Sequence, residues 1–281
     1  MQSSKQPYRV LLSFDLEEFD IPNEYGAALP VAEQLAVTQT GMANLLPLLT
    51  RLQIPVTFFT TAFYAQQNKT VVKELAATHE IASHTFYHSR FSDTDIATSR
   101  QVLAEISGQY ISGFRMPRLA PVSKQLIADA GYLYDASLNP TWLPGRYNHL
   151  GQPRTLFRQE DLWIMPSSVT PRLRIPLFWL AFKNLPLSFI KQCSLQVLKK
   201  DGYLSLYFHP WEYAILSSYT AMPFYTRNIS GNQLLDKLSN YLGWLQTLAD
   251  FSTIENFIQN YEEQMSPYQL THTGGQLRSD N

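Results

Sequence analysis

The sequence predicts an α/β fold, most simply a parallel (β/α) barrel, on two observations. Short β-branched and aromatic runs alternate with helix-like segments along the chain, as parallel β/α units require. The residues best suited to chemistry fall just after separate strand-like runs, where a parallel barrel would gather them on one face. With neither a linker nor an internal repeat in view, residues 1–265 are expected to form one domain, followed by a mobile polar tail over 266–281.

Each element has a local reason. Tyr8 to Phe14 (YRVLLSF) reads as a buried strand ending in the acidic cluster Asp15-Leu16-Glu17-Glu18. Helical spacing runs from Thr40, a suitable N-cap, to Leu52. Pro55 to Thr60 is a second strand-like run, a helix spans Thr70 to Ala77, and Glu80 to Ser83 is a short third strand. Ser92 and Asp95 resemble a capping box that opens a helix reaching Ile106. Ile111 to Phe114 is the fourth strand, and Ser123 to Ala130 is a helix closed by Gly131. After Tyr134 the pattern loosens into a loop rich in Pro, Asn and Gly that reaches Gln159. Leu162 to Met165 and Leu204 to Phe208 supply later strands around a helix from Leu187 to Lys200. A long amphipathic helix then covers Asn232 to Leu248.

Composition narrows the function classes. A hydrophobic fraction of 45% with 16% charged residues is that of a folded chain, and 281 residues suffice to bury a full core. A formal net charge of -1, without any basic run, lacks the footprint of a nucleic-acid partner. Cys193 is the only cysteine, which excludes an internal disulfide and any multi-thiolate metal site. No uninterrupted apolar stretch reaches the roughly 18 residues of a membrane span. Met1 to Pro7 lacks the apolar core of a signal peptide, so a cytoplasmic location is expected if Met1 is the true start.

His84 and His88 space two imidazoles four residues apart, which on a turn of helix would put both on one face, a standard grip on a divalent ion. Alone, that spacing equally describes one core and one surface histidine. A carboxylate arriving from a neighbouring strand end favours the metal reading. In the acidic cluster, strand alternation places Asp15 and Glu17 on one face and Leu16 and Glu18 on the other. One of the paired acids can then bind metal while the other moves protons. For Glu18 the competing reading is a solvated loop acid.

Five motifs stand in order: Ser13-Phe14-Asp15-Leu16-Glu17-Glu18, Ser83-His84-Thr85-Phe86-Tyr87-His88, Phe114-Arg115-Met116-Pro117, Gly131-Tyr132-Leu133-Tyr134-Asp135-Ala136-Ser137 and Tyr207-Phe208-His209-Pro210-Trp211-Glu212. Together they resemble the polysaccharide deacetylases, carbohydrate esterase family 4 with its nodulation-type chitooligosaccharide deacetylase homology domain, and especially a bacterial branch ending in His-Pro-Trp. The resemblance spans Val10 to Glu212. It implies a distorted, incomplete (β/α) barrel, expected here with seven strands, and hydrolysis of N-acetyl groups on glucosamine-type sugars or peptidoglycan.

It also implies one divalent ion, zinc before cobalt or nickel, held by Glu17, His84 and His88. Many members carry Asp-Asp where this chain has Asp15-Leu16. Branches with an Asp-x-acid motif move the ligand one residue on, to Glu17, in agreement with strand parity. By the same resemblance Asp15 is the base, Arg115 its ion-pair partner and His209 the proton donor, with Asp135 the candidate orienting acid. Asp15 would take a proton from water, and His209 would protonate the departing sugar nitrogen, whose anion is too poor a leaving group.

The expected partner is therefore an N-acetylated carbohydrate. Trp142, Trp211 and Tyr87, with Trp163 and Phe208, suit either the apolar face of a sugar or the core. Leu206 suits either an acetyl-methyl pocket or plain packing. The run Ile175 to Phe182 is either a buried element or an apolar lip in peripheral contact with a membrane or lipid-linked glycan. Two other functions fit parts of the pattern. One is a related amide or imide hydrolase acting on a small molecule or a peptidoglycan-linked group. The other is a catalytically silent carbohydrate-binding protein, which would have no need of Asp15, Arg115 and His209 together.

Overall fold

The computed structural model describes residues 8–264, so the polar tail expected over 266–281 lies outside the described residues. The elements follow in chain order as β1 (Tyr8–Leu16), α1 (Val31–Leu52), β2 (Thr57–Thr60), α2 (Ala62–Gln67), α3 (Lys69–Leu75), β3 (Glu80–Ser83), α4 (Thr94–Ser107) and β4 (Gly113–Phe114). Then come α5 (Lys124–Asp129), β5 (Tyr134–Asp135), β6 (Trp142–Leu143), β7 (Tyr147–Asn148), β8 (Phe157–Gln159) and β9 (Leu162–Ile164). The chain closes with α6 (Trp179–Asn184), α7 (Leu187–Asp201), β10 (Tyr203–Phe208), α8 (Phe224–Arg227), α9 (Gly231–Gln246), β11 (Ala249–Ser252) and α10 (Ile254–Gln264).

The sheet is mixed and strongly curled, a half-barrel in the order β10-β1-β2-β3-β4-β5-β9-β8, with β11 also on β1. The first seven strands of that order pair in parallel, as the barrel reading expects. Two more strands extend it: β8 folds back antiparallel on β9, and β11 pairs with the first half of β1. No ladder joins β9 to β10 among the described residues. Ser168 bridges them instead: its N–H donates to the Ser205 carbonyl, and the Ser205 N–H donates to its hydroxyl, both at 2.9 Å.

Strand alternation sorts the side chains. Val10, Leu12, Phe14 and Leu16 face the helices in one core cluster, while Leu11 joins Phe59, Ala82, Tyr134, Trp163 and Met165 inside the curl. Continuing inward from Leu11, the same face carries Ser13, Asp15 and then Glu17, turning from apolar to acidic toward the strand's C-terminal end. β10 does the same: Leu204, Leu206 and Phe208 pack outward, so Tyr203, Ser205, Tyr207 and finally His209 face in. At the opposite end α10 plugs the curl with Ile254 and Ile258.

Several boundaries differ from the sequence expectation. α1 begins at Val31, nine residues before Thr40, whose hydroxyl instead bonds the Ala36 carbonyl within the helix at 2.8 Å. The loop expected from Tyr134 to Gln159 holds the two-residue strand β5, the β6–β7 hairpin and β8. β11 and α10 were not anticipated. The acid of the expected capping box does accept the Ser92 N–H, from Asp95 at 2.8 Å. Among the described residues no helix is long and apolar enough to cross a membrane.

One glycine is essential to the assembly. A Cβ at Gly41 would lie 1.9 Å from the Pro210 carbonyl oxygen, so α1 can touch the turn after His209 only because residue 41 has no side chain. Alanine at an open helical site gains about 1 kcal/mol over glycine. Overpacking against backbone costs about 1–3 kcal/mol and has no flexible side chain to relieve it. The clash wins. Gly41→Ala is expected to lower thermal stability; a variant that melts at or above the wild-type temperature would contradict this packing.

The floor of the curl holds a buried carboxylate. Glu80 accepts from Thr57 Oγ1 and Tyr134 OH, each at 2.6 Å, and from the Glu255 N–H at 3.1 Å, so it also caps α10. Burial pushes its carboxyl from 4.5 up to about 7, against the opposing pull of these hydrogen bonds. The folded state thus keeps a proton that the unfolded chain releases near 4.5. Glu80's contribution is full below that value and is lost as pH rises through about 7. Glu80→Gln should flatten this slope, leaving wild type to lose on the order of 1–3 kcal/mol more between pH 5 and 8. Denaturant titrations of both proteins at the two pH values check it.

Candidate active site and metal centre

The acids at the end of β1, the histidines after β3, Arg115 after β4 and His209 after β10 meet at the C-terminal mouth of the curl, all buried. Glu17 is central. Its Oε2 lies 3.0 Å from His84 Nε2 and 3.1 Å from His88 Nε2, while its Oε1 accepts the Trp211 indole N–H at 3.0 Å. Asp15 stands beside it, with Oδ2 at 4.0 Å from His84 Nε2 and 3.8 Å from His209 Nε2. Arg115 donates to the other Asp15 oxygen, to Ser13 Oγ at 3.1 Å and to the Ala136 carbonyl at 3.2 Å. Its guanidinium lies over the Phe59 ring, which fixes the fork in place.

The two histidines sit on an irregular turn rather than the expected helical one. Thr85, between them, takes a left-handed φ of 59°, a strained conformation for a β-branched residue and one that clusters at functional sites. That turn brings the rings to 5.6 Å, nearly parallel. Each Nδ1 is committed: His84 Nδ1 to the Arg115 carbonyl at 2.8 Å and His88 Nδ1 to Asp20 Oδ1 at 2.7 Å. Because a carbonyl only accepts, His84 carries a proton on Nδ1, and Nε2 is the atom it turns toward the Glu17 carboxylate.

Two lone-pair-bearing groups aimed at each other need a cation or proton between them. His84 Nε2 and Glu17 Oε2 are buried and have no hydrogen-bond partner, as a metal's ligands would appear without it. Glu17, His84 and His88 therefore fit a divalent ion, with Asp20 and the Arg115 carbonyl orienting the imidazoles behind them. Charge agrees. Burial alone would raise the Glu17 carboxyl, but His88, His84 and His209 hold it well below the usual carboxylate range. Burial alone would lower His88, yet Glu17 and Asp20 raise it to about 9, so a proton can balance the anion in place of a metal.

Glu18 points elsewhere. It accepts from Thr61 Oγ1 at 2.6 Å on the far side of β1, and burial raises its carboxyl. Strand parity thus separates Glu17 from Glu18, although Glu18 is buried rather than the solvated acid of the competing reading.

Across the mouth, His209 is walled in. Trp211 stacks on its ring at 4.6 Å, and the Trp179 ring meets it edge-on at 5.1 Å. Glu212 Oε1 accepts from the His209 backbone N–H at 3.0 Å and lies 3.3 Å from Nδ1. Burial alone would lower His209; the Glu212 hydrogen bond and the charges of Glu17 and Asp15 raise it overall. Behind Glu212 lies the buried Lys183 ammonium, 3.3 Å from Oε2.

Five expected site residues lie elsewhere. Asp135 is not the acid against His209: it is buried in β5, paired with Lys124 and Ser137, and Glu212 occupies the orienting position. Leu206 faces the helices because β10 alternates, leaving Tyr207 to line the cavity. Trp211 is buried behind His209 and Glu17, and Tyr87 packs on Phe63, Phe86 and Arg90 away from the cavity wall. Trp142 is 59% exposed on the β6–β7 hairpin, whose Leu143, Pro144, Arg146 and Tyr147 line the cavity in its stead.

Trp163 and Phe208 belong to the core. The run Ile175 to Phe182 is a half-buried wall of the cavity: Leu177, Phe178 and Phe182 are buried, the rest partly so, and Phe178, Trp179 and Leu180 line the cavity. Sequence reasoning missed Asp20, Tyr207, Trp179, Lys183 and Glu212. Asp20 continues the acidic run and Glu212 closes the His-Pro-Trp motif, so both were within reach; Lys183 left only the trace of a lone cation after an apolar run.

Titrating apo-protein with zinc separates the acids. Glu17→Gln should lose most metal affinity, since a neutral oxygen replaces the anionic ligand. Asp20→Asn should lose roughly 10–100-fold through its imidazole. Glu18→Gln should bind as wild type does, and the reverse order of Glu17 and Glu18 would refute this ligand set.

Comparisons agree with this geometry. The polysaccharide deacetylase family model matches residues 9–134, a segment that carries Asp15, Glu17, His84, His88 and Arg115 but not His209. A search among curated proteins finds no match. Among solved structures, one described as a polysaccharide deacetylase from Pseudomonas aeruginosa PAO1 is similar at TM-score 0.65 and 15% identity, covering 92% of each chain. Another, from Mycobacterium smegmatis, reaches TM-score 0.61 at 16% identity, covering 95% of this chain and 94% of that one. The Puue allantoinase is similar at TM-score 0.62 and 15% identity, covering 94% and 95%. At such identities these structures share the fold with this chain. The chain is thus similar to the polysaccharide deacetylase family over residues 9–134, and its overall fold is that of the solved structures it resembles.

Proposed function

We propose that this chain is a metal-dependent hydrolase that removes N-acetyl groups from an amino-sugar-containing glycan. The observation that carries the reading is the pair Asp15 and His209, 3.8 Å apart beside the Glu17, His84 and His88 cluster and lining one cavity with it. A silent binding site has no need to bury an ionic base and a proton donor together. Zinc suits the set of two histidines and one carboxylate, ahead of cobalt or nickel.

Glu17, His84 and His88 would hold the ion. When bound, a divalent metal polarises an acyl oxygen and lowers the pKa of water toward about 7. The remaining chemistry belongs to the chain. Arg115 occupies one Asp15 oxygen, so the other, facing His84 and His209, is the one available to accept a proton from water. His209 has Nδ1 against Glu212 and Nε2 toward the cavity, the arrangement of a donor to a departing amine. Tyr25, Tyr147, Tyr225 and Trp179 line the opening and offer aromatic faces to a sugar ring.

The test is acetate release from N-acetylglucosamine oligomers by the zinc-loaded protein, run beside small cyclic amides. Acetate is expected from the oligomers. Asp15→Asn should abolish it while keeping the metal, and His209→Ala should slow it by roughly 10²–10⁴-fold. Ring opening of a cyclic amide with no acetate from any glycan would replace this reading with that of an amide or imide hydrolase.

A further inference from the structure

Lys183 is an unusual residue to find where it is. It lies fully buried on α6, and burial lowers its pKa while the Glu212 charge opposes that shift. Its ammonium donates to the Thr226 carbonyl at 2.8 Å and lies 3.3 Å from Glu212 Oε2. That Glu212 oxygen is buried and has no other partner. The other Glu212 oxygen serves His209 alone, at its backbone N–H and its Nδ1. The same ammonium lies 5.6 Å from the Trp179 ring and 5.9 Å from the Trp211 ring, the two indoles that box the imidazole.

We propose that Lys183 is a positioning residue for proton donation, holding Glu212 so that it fixes the tautomer and direction of His209. This rests on the reading of His209 as the donor to an amine leaving group. A purely structural ion pair would need no link to the imidazole. Here a single carboxylate is divided, one oxygen to the lysine and one to the histidine, so loss of the ammonium frees Glu212 to turn away from Nδ1. His209 would then lose the partner that keeps its proton on Nδ1 in the neutral ring and aims Nε2 toward Asp15. Lys183 also ties the arrangement to α8, whose Thr226 lines the cavity.

The experiment compares two substrates in the zinc-loaded full chain. Cleavage of an N-acetylglucosamine oligomer needs a proton delivered to nitrogen. Hydrolysis of para-nitrophenyl acetate does not, because its phenolate leaves unaided. Lys183→Met should lower kcat on the oligomer by roughly 10–100-fold, the usual cost of removing an outer partner. KM and zinc content should stay nearly unchanged, and hydrolysis of the ester should stay near wild type. Glu212→Gln should show the same split, and the double variant should be no slower than Glu212→Gln alone, the signature of a shared route.

If Lys183→Met does not fold, Lys183→Gln, which can still reach the Thr226 carbonyl, carries the same comparison. Equal loss on both substrates, or additive losses in the double variant, would overturn the positioning role. Wild-type protein that releases no acetate from any oligomer would instead overturn the deacetylase reading, so the two failures are told apart.

Discussion

Glu17 brings a negative charge to a place with almost no access to water, and an unmatched buried carboxylate costs several kcal/mol even after the surroundings relax. Much of the molecule is arranged around meeting that cost. The indole of Trp211 donates from the segment after β10, and two imidazoles close from the strained turn after β3. The Glu17 backbone carbonyl is itself anchored by the Thr38 hydroxyl of α1 at 2.7 Å. Apart from the two histidines, none of these groups is near another in sequence. The curl of the sheet makes them neighbours, because parallel strands all deliver their C-terminal ends to one mouth.

The site has two halves of different visibility. The half that would grip the metal, with Asp15 and Arg115, announces itself through short motifs and through strand parity. Parity held where the backbone stays extended: it separated Glu17 from Glu18, and applied to β10 it would have turned Leu206 outward and Tyr207 inward. The half around His209 is harder to read. Its wall comes from α6 and α8, whose residues carry no spacing that points to a cavity, and Lys183 is recognisable only once its burial is known. Asp135 misled because a motif acid at a strand end looks available, whereas Lys124 from the next helix over already claims it.

The fold was legible in outline for the same reason. β1, β2, β3 and β10 are buried throughout or nearly so, and their apolar runs are long enough to stand out. β4 and β5 have two residues each and leave almost no pattern. β11 follows α9 with little warning, and α10 draws its strength from plugging the curl rather than from a helix start signal. The start of α1 was missed because Pro30, not a side-chain cap, precedes its first turn. Structures with only 15–16% identity share this architecture over more than nine-tenths of their length, so the frame tolerates wide change in sequence.

The seam between β9 and β10 gives that tolerance a physical basis. A regular ladder would lock those strands at a spacing of about 4.8 Å along their length. Here, among the described residues, the backbone hydrogen bonds that join them run through Ser168, and the segment that carries it runs on toward α6. Residues can be gained or lost in that segment without shifting the register of any strand that bears Asp15, Glu17, His84 or His209. For a lineage under selection, the seam is an expansion joint: the width of the mouth can change while Asp15, Glu17, His84 and His209 keep their places.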